Sequence, residues 1–254
     1  MPIDDLEAAI ARLPPGWHAQ VFASLDSTQD VAREAAMRGA PDRSLFVADF
    51  QRAGRGRQGR RWLAQPGTAL LMSVLLRAQG PPVAWRSTAL AAVALVEAIH
   101  ALAPGLRSVV HIKWPNDVLV DRQKVAGILA ESSFDGQRSL TIVGLGVNVD
   151  ADAAALAEVA APATSLRLAT GQPVGRDLLL LELVQRVDAW LSRSEEDLRQ
   201  AWQAYLWGRG RRLRLREGDA SYDVVVLGTT DDGSLIVRLP NGSLQVTSTG
   251  ELML

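Results

Sequence analysis

Apolar and polar positions divide the chain into a regular series of elements. Residues 17–24 (WHAQVFAS) predict a first strand. Ser27 is placed to cap a helix that runs to Arg38, with Asp30 in its first turn and Gly39 at its stop. SLFVADF (44–50) predicts a strand, and QRAGRGRQGRRW (51–62), which has no apolar period, predicts a loop. ALLMSVLLR (69–77) is an unbroken apolar run of strand length and predicts a buried strand. A mostly apolar helix over Trp85–Leu102 stops at Pro104–Gly105. SVVHIK, DVLVD, KVAGILAESS and RSLTIVGLGVNV follow, separated by WPND, DRQK and FDGQ, which predicts an antiparallel meander within a mixed sheet. Residues 152–207 return to a helical pattern with a break near Ser192–Ser194.

The character changes near residue 208. RRLRLRE, YDVVVLGT, SLIVRL and SLQVTS alternate with Gly, Asp and Asn turns, which predicts a small barrel, and Asn241–Gly242 predicts a type I′ hairpin turn. The expected organisation is therefore α+β, with a mixed sheet flanked by helices over 1–207 and a small β unit over 208–254.

A chain of 254 residues, 48% hydrophobic and 22% charged, is long enough to bury a core without disulfide or metal staples. The absence of Cys excludes thiol nucleophiles and Cys-ligated zinc, and His18, His100 and His111 lack ligand spacing. No signal peptide or membrane-length apolar run is visible, which predicts a soluble cytoplasmic protein with no membrane partner.

Charge sharpens the picture. The net charge is only −1, yet Arg52, Arg55, Arg57, Arg60 and Arg61 fall in ten residues without an acid, leaving the rest of the chain at −6. Two exposed like charges ~10 Å apart repel by only ~0.4 kcal/mol. Five together, with Gly54, Gly56 and Gly59 adding backbone freedom, predict a loop that stays open until an anion closes it. A solvated basic turn, a nucleic-acid arm and a cradle for a phosphorylated small molecule all fit such a loop, and the acidic remainder disfavours the second.

Of 27 basic residues only Lys113 and Lys124 are lysine, which makes them candidates for places where a wide guanidinium does not fit, chance being the alternative. Lys113 ends a strand beside Trp114, Pro115, Asn116 and Asp117, where a plain surface ion pair is the simplest alternative. Gly127 inside KVAGIL predicts close approach of a backbone or ligand, and GLGVN places Asn148, one of three asparagines, at a strand tip. Lysines, asparagines and arginine loop thus gather at strand ends and loops, where ligand sites form.

In this order and spacing, GRGRQGRRW, KWPND, KVAGIL and GLGVNV, with Ser27, Thr28 and Gln51 upstream, resemble the biotin–protein ligases over nearly the whole chain, from about residue 20 to Gly250–Glu251. The resemblance implies a catalytic domain like that of the class II aminoacyl-tRNA synthetases and an SH3-like C-terminal barrel. It implies that Ser27, Thr28 and Gln51 hydrogen-bond the biotin head group, that Gly54 and Arg55 sit over biotin, and that Arg57 contacts the activated carboxylate. Lys124 would reach that carboxylate and the α-phosphate, Trp62 would enclose the adenine, and Lys113, Asn116, Asp117 and Asn148 would line the nucleotide side. Gln29 and Gln58 depart from the family pattern, which more often has Asn and a basic residue there.

The implied substrates are biotin and ATP with Mg²⁺, for which Asp117 is the candidate ligand, and the implied acceptor is a lysine of a biotin carboxyl carrier protein. Either Asp117 or water takes the proton of that amine. Some members carry an N-terminal DNA-binding domain; about twenty residues before the first strand predict the ligase-only class without operator binding, and an edge-to-edge homodimer is allowed. A lipoate–protein ligase and a nucleic-acid-binding module are the rival readings.

Overall fold

The apolar run that begins at Ala69 becomes a central strand because both of its faces are covered: Ala69–Leu75 are all buried. The computed structural model describes residues 5–82, 85–157, 159 and 162–254. Residues 158, 160 and 161 of the expected 152–207 helical stretch lie outside the described residues.

The larger unit comprises α1 (Leu6–Ile10), β1 (His18–Leu25), α2 (Thr28–Met37), β2 (Ser44–Gln51), β3 (Ala69–Gln79), α3 (Arg86–Leu102), β4 (Val110–Lys113), β5 (Asp117–Val120), β6 (Gln123–Phe134) and β7 (Arg138–Asn148). It continues through α4 (Ala153–Leu156), α5 (Leu166–Thr170), α6 (Arg176–Leu191) and α7 (Glu195–Tyr205). β8 (Arg212–Glu217), β9 (Ala220–Thr229), β10 (Leu235–Arg238), β11 (Leu244–Thr247) and β12 (Glu251–Leu252) follow.

Seven strands form one mixed sheet in the order β1-β2-β3-β7-β6-β5-β4. Only β1 and β2 are parallel, and β4 to β7 form the expected antiparallel meander. Ser27 caps α2 as its composition predicts, and α2 crosses one face of the sheet, packing Ala32 with Phe46, Leu75 and Ile142. α3 and α6 cover the other face. α3 is apolar on nearly all sides because it lies between the sheet and α6 and α7; Glu97, its one acid, accepts a hydrogen bond from Trp190 Nε1 at 3.0 Å. Among the described residues no helix is long and apolar enough to cross a membrane.

The last five strands form an antiparallel sheet in the order β11-β10-β9-β8-β12. The antiparallel sheet fits the small β unit expected over 208–254, although among the described residues no ladder joins β11 to β12. Its inward residues Leu215, Val224, Val226, Leu235, Val237 and Leu252 join the same buried cluster as α3 and α6, and Trp114 Nε1 donates to Gly233 O at 3.0 Å across the junction. The hairpin at Asn241–Gly242 forms, but its turn is built differently. Pro240 presets the bend, Gly242 N donates to Leu239 O at 2.9 Å, and positive φ falls on Gly242 (88°) and not on Asn241. The two-residue turn with positive φ at both centres lies instead at Asp121 (45°) and Arg122 (65°), and it sends β6 back beside β5.

Candidate active site

A cavity of about 480 Å³ opens where the N-terminus of α2, the arginine loop, the middle of β6 and β7 and the tip of the C-terminal sheet converge. Its floor is polar and neutral. Gln51 Oε1 accepts from Thr28 N at 2.7 Å and Thr28 Oγ1 at 2.9 Å, and Thr28 Oγ1 lies 2.8 Å from Ser73 Oγ. Ser73 Oγ donates to Gln29 Oε1 at 3.1 Å. Ser27, the helix cap, lines the same end.

One wall is made of backbone. Gly127 of β6 faces Gly146 of β7 in register, and the Trp62 indole lies directly on them. A Cβ at Gly146 would stand 2.5 Å from Trp62 Cε2. Gly144 accommodates Gln29 in the same way, with Oε1 2.6 Å from a built Cβ. Close approach, the meaning predicted for Gly127 in mid-strand, therefore applies to three glycines, and what approaches is Trp62 and Gln29. Gly146→Ala is expected to force the indole off the sheet, destabilise the protein by ~1–3 kcal/mol through overpacking and lower activity with it. Gly105→Ala, where a Cβ meets nothing within 4 Å, is the control for melting and turnover.

The loop folds back on itself over the cavity. Gly56 N donates to Arg60 O at 2.8 Å and Trp62 N to Gly54 O at 3.0 Å, with Gln58 (φ 57°) and Gly59 (φ 73°) at the tip. The expected self-repulsion is offset residue by residue. Arg52 pairs with Asp26 at 2.8 Å, Arg55 with Asp30 at 2.7 Å and Glu131 at 3.0 Å, and Arg60 with Glu251 at 3.0 Å. Arg61 donates to Arg52 O at 2.8 Å. Arg57 is different. Half-buried and facing the cavity, it meets only the Asn116 side-chain oxygen at 3.3 Å and, among the described residues, makes no ion pair. Burial pulls its pKa below the ordinary arginine value; Asp117 and Glu251 oppose that pull, while Arg60 adds to it.

The opposite end holds both lysines. Lys124 Nζ lies 2.7 Å from Asp117 Oδ1 and 5.7 Å from the Trp62 ring centre. Lys113 is buried, with Nζ 3.0 Å from Glu251 Oε1 and 3.9 Å from Asp117 Oδ2. Asp117, the candidate magnesium ligand, thus has its oxygens directed at two ammonium groups, and among the described residues no group of three His, Asp or Glu could hold a metal. Asn116 Nδ2 donates to Ile128 O at 2.7 Å, and Asn148 Nδ2 to Thr164 O at 3.1 Å.

Of the residues expected in the site, Ser27, Thr28, Gln51, Arg55, Arg57 and Trp62 line the cavity, as do Asn116, Asp117, Lys124 and Asn148. Gly54 and Lys113 do not. Gly54 packs under the loop, where a Cβ would stand 2.6 Å from Trp62 O, and Lys113 is buried with its ammonium paired to Glu251, which does line the cavity. The Arg55 guanidinium is engaged by Asp30 and Glu131, so only the rest of that residue is free to cover a ligand.

Glu251, Gln29 and Ser73 are members that sequence reasoning did not assign. Burial raises the Glu251 carboxyl, but the hydrogen bond and charge of Lys113, with Arg60, hold it at about 2 against an ordinary 4.5. A lowered carboxyl stabilises the fold above the unfolded value and stops doing so as pH falls through the folded one. Glu251→Gln is therefore expected to cost ~1–2 kcal/mol at pH 7, allowing for partial exposure. Its melting deficit should close as pH falls from about 4.5 to about 2.

A sequence profile described as "Biotin/lipoate A/B protein ligase family" matches residues 21–148. The bifunctional ligase/repressor BirA of Bacillus spizizenii is 35% identical over 92% of this chain and 73% of its own length. The biotin–[acetyl-CoA-carboxylase] ligase of Paracoccus denitrificans is 36% identical over 87% of this chain and 95% of its own length. The chain belongs to the biotin/lipoate A/B protein ligase family. Among solved structures, the biotin protein ligase of Aquifex aeolicus in complex with biotin and ATP matches this family member with a TM-score of 0.75 and 26% identity, over 92% of this chain and 97% of the other. The resemblance drawn from GRGRQGRRW and KWPND thus extends to the fold, with its mixed sheet, flanking helices and small C-terminal β sheet.

Proposed function

We infer that the chain is a biotin–protein ligase. It activates biotin with ATP to biotinyl-5′-AMP, releasing pyrophosphate, and passes the biotinyl group to a lysine of a biotin carboxyl carrier protein. The observation that carries this reading is the polarity of the cavity. A neutral floor of Thr28, Gln51, Ser73 and Gln29 suits an uncharged hydrogen-bonding head group, and a cationic end at Arg57 and Lys124 suits a carboxylate meeting a phosphate.

The chemistry needs no nucleophilic side chain. A biotin carboxylate oxygen attacks the α-phosphorus, and the bond to the pyrophosphate oxygen breaks. Two anions must meet, so the barrier is largely electrostatic and preorganised cations lower it. Among the described residues Arg57 has no carboxylate partner, and the Asp117–Lys124 pair holds an ammonium at the same end. Asp117 is paired with Lys124 at 2.7 Å and has Lys113 at 3.9 Å, a cationic setting that does not fit a metal ligand, and Mg²⁺ is supplied as the counter-ion of ATP. Trp62 and the closed loop exclude water from the mixed anhydride. In this reading residues 1–207 carry the reaction in the cytoplasm, residues 208–254 contribute Glu251 at the rim, and neither DNA nor membrane takes part. Pairing through β1, the outer strand of the large sheet, would give a homodimer, which sedimentation measures.

The family profile covers lipoate as well as biotin, so substrate-dependent ATP–pyrophosphate exchange is the test. Exchange with biotin and none with lipoate is expected; the reverse overturns the assignment.

A further inference from the structure

We propose that Glu131 is a positioning residue that couples the floor of the cavity to the arginine loop; this rests on the biotin-ligase reading above. Glu131 belongs to a closed ring of two cations and two anions. Arg33 reaches Asp30 at 2.8 Å and Glu131 at 2.6 Å, and Arg55 reaches Asp30 at 2.7 Å and Glu131 at 3.0 Å. Each guanidinium forks across both carboxylates, a geometry a lysine does not offer. The ring is neutral and partly exposed, so it does not serve to shield a buried charge.

Three elements meet in it: α2 through Asp30 and Arg33, β6 through Glu131, and the loop through Arg55. Of the two acids, Glu131 also touches the cavity floor. Gln29 Nε2 donates to Glu131 Oε2 at 3.1 Å and to Ile142 O at 3.2 Å, while Gln29 Oε1 accepts from Ser73. With Thr28 N donating to Gln51, Thr28 Oγ1 to Ser73 and Ser73 to Gln29, the hydrogen-bond path runs from Gln51 through Thr28, Ser73 and Gln29 to Glu131 and then to Arg55. Arg55 is bridged through its backbone to Arg61, so its anchor sets how the loop covers the head-group end of the cavity. A head group that orders Thr28 and Ser73 fixes the Gln29 amide, and the amide fixes the carboxylate that holds the loop.

The experiment reads biotin KM and kcat separately in ATP–pyrophosphate exchange. Glu131→Gln should raise the biotin KM about tenfold and leave kcat within about twofold, a split that general loosening of the fold does not produce. Arg55→Ala should raise the biotin KM similarly, and the double variant should be no worse than the worse single one, because both cut the same link. Arg33→Ala leaves Arg55 both of its carboxylates and should raise KM by clearly less than Arg55→Ala does. Should Glu131→Gln fail to fold, the contrast between Arg55→Ala and Arg33→Ala decides.

An unchanged KM in Glu131→Gln, multiplied effects in the double variant, or an equal rise in Arg33→Ala overturns the inference while wild-type exchange leaves the biotin reading intact. Absence of biotin-dependent exchange in the wild type removes both.

Discussion

Arg57→Ala is expected to slow biotinyl-adenylate formation about 10²- to 10³-fold, the loss typical of removing one preorganised donor from a site of developing negative charge. The reason lies in how the loop distributes its charges. Arg52, Arg55 and Arg60 are each neutralised by a named carboxylate, whereas Arg57 faces the cavity with only the Asn116 amide oxygen beside it. Its partial desolvation makes it seek an anion. Arg52→Ala should change the rate little, since it removes an exposed pair worth ~1 kcal/mol at most. Rapid-quench measurement of adenylate formation compares the two, and equal effects would show that overall loop charge, and not Arg57, drives the step.

Lys124→Ala should be comparably slow, and Lys124→Arg should fail to restore the rate. Nζ sits between the Asp117 carboxylate at 2.7 Å and the Trp62 ring, with the Gly127 backbone beside it: a Cβ built there would lie 3.2 Å from Nζ. A planar guanidinium is too wide for that slot without displacing Trp62. The scarcity of lysine in the sequence pointed to this residue before any geometry did. Full activity of Lys124→Arg would sink that argument and leave the family assignment standing.

The same contrast explains what the sequence revealed and what it did not. The elements of the large sheet were legible because their signals are local: a capped helix after Ser27, an unbroken apolar strand at 69–77, and turn residues between the strands of the meander. Lys124, Asn116 and Asp117 were legible because they stand beside strand ends in short motifs. The closure of the loop was not. It depends on Asp26, Asp30, Glu131 and Glu251, which come from three separate stretches of the chain and carry no motif. Glu251 is the clearest case, since a lone acid at the start of a two-residue strand gives no sign that it will meet Lys113, 138 residues away. Gln29 was noticed only as a departure, and its contacts with Ser73 and Glu131 depend on Gly144 leaving room for it.

The central claim is that one cavity joins a neutral head-group floor to a cationic end built for a carboxylate and a phosphate. Native mass spectrometry of the purified protein after incubation with biotin, ATP and Mg²⁺ tests it most directly. The account predicts a retained mass equal to biotinyl-5′-AMP in the wild type and its marked depletion in Arg57→Ala. A wild-type spectrum that shows no such adduct, or one formed with lipoate in place of biotin, would contradict it.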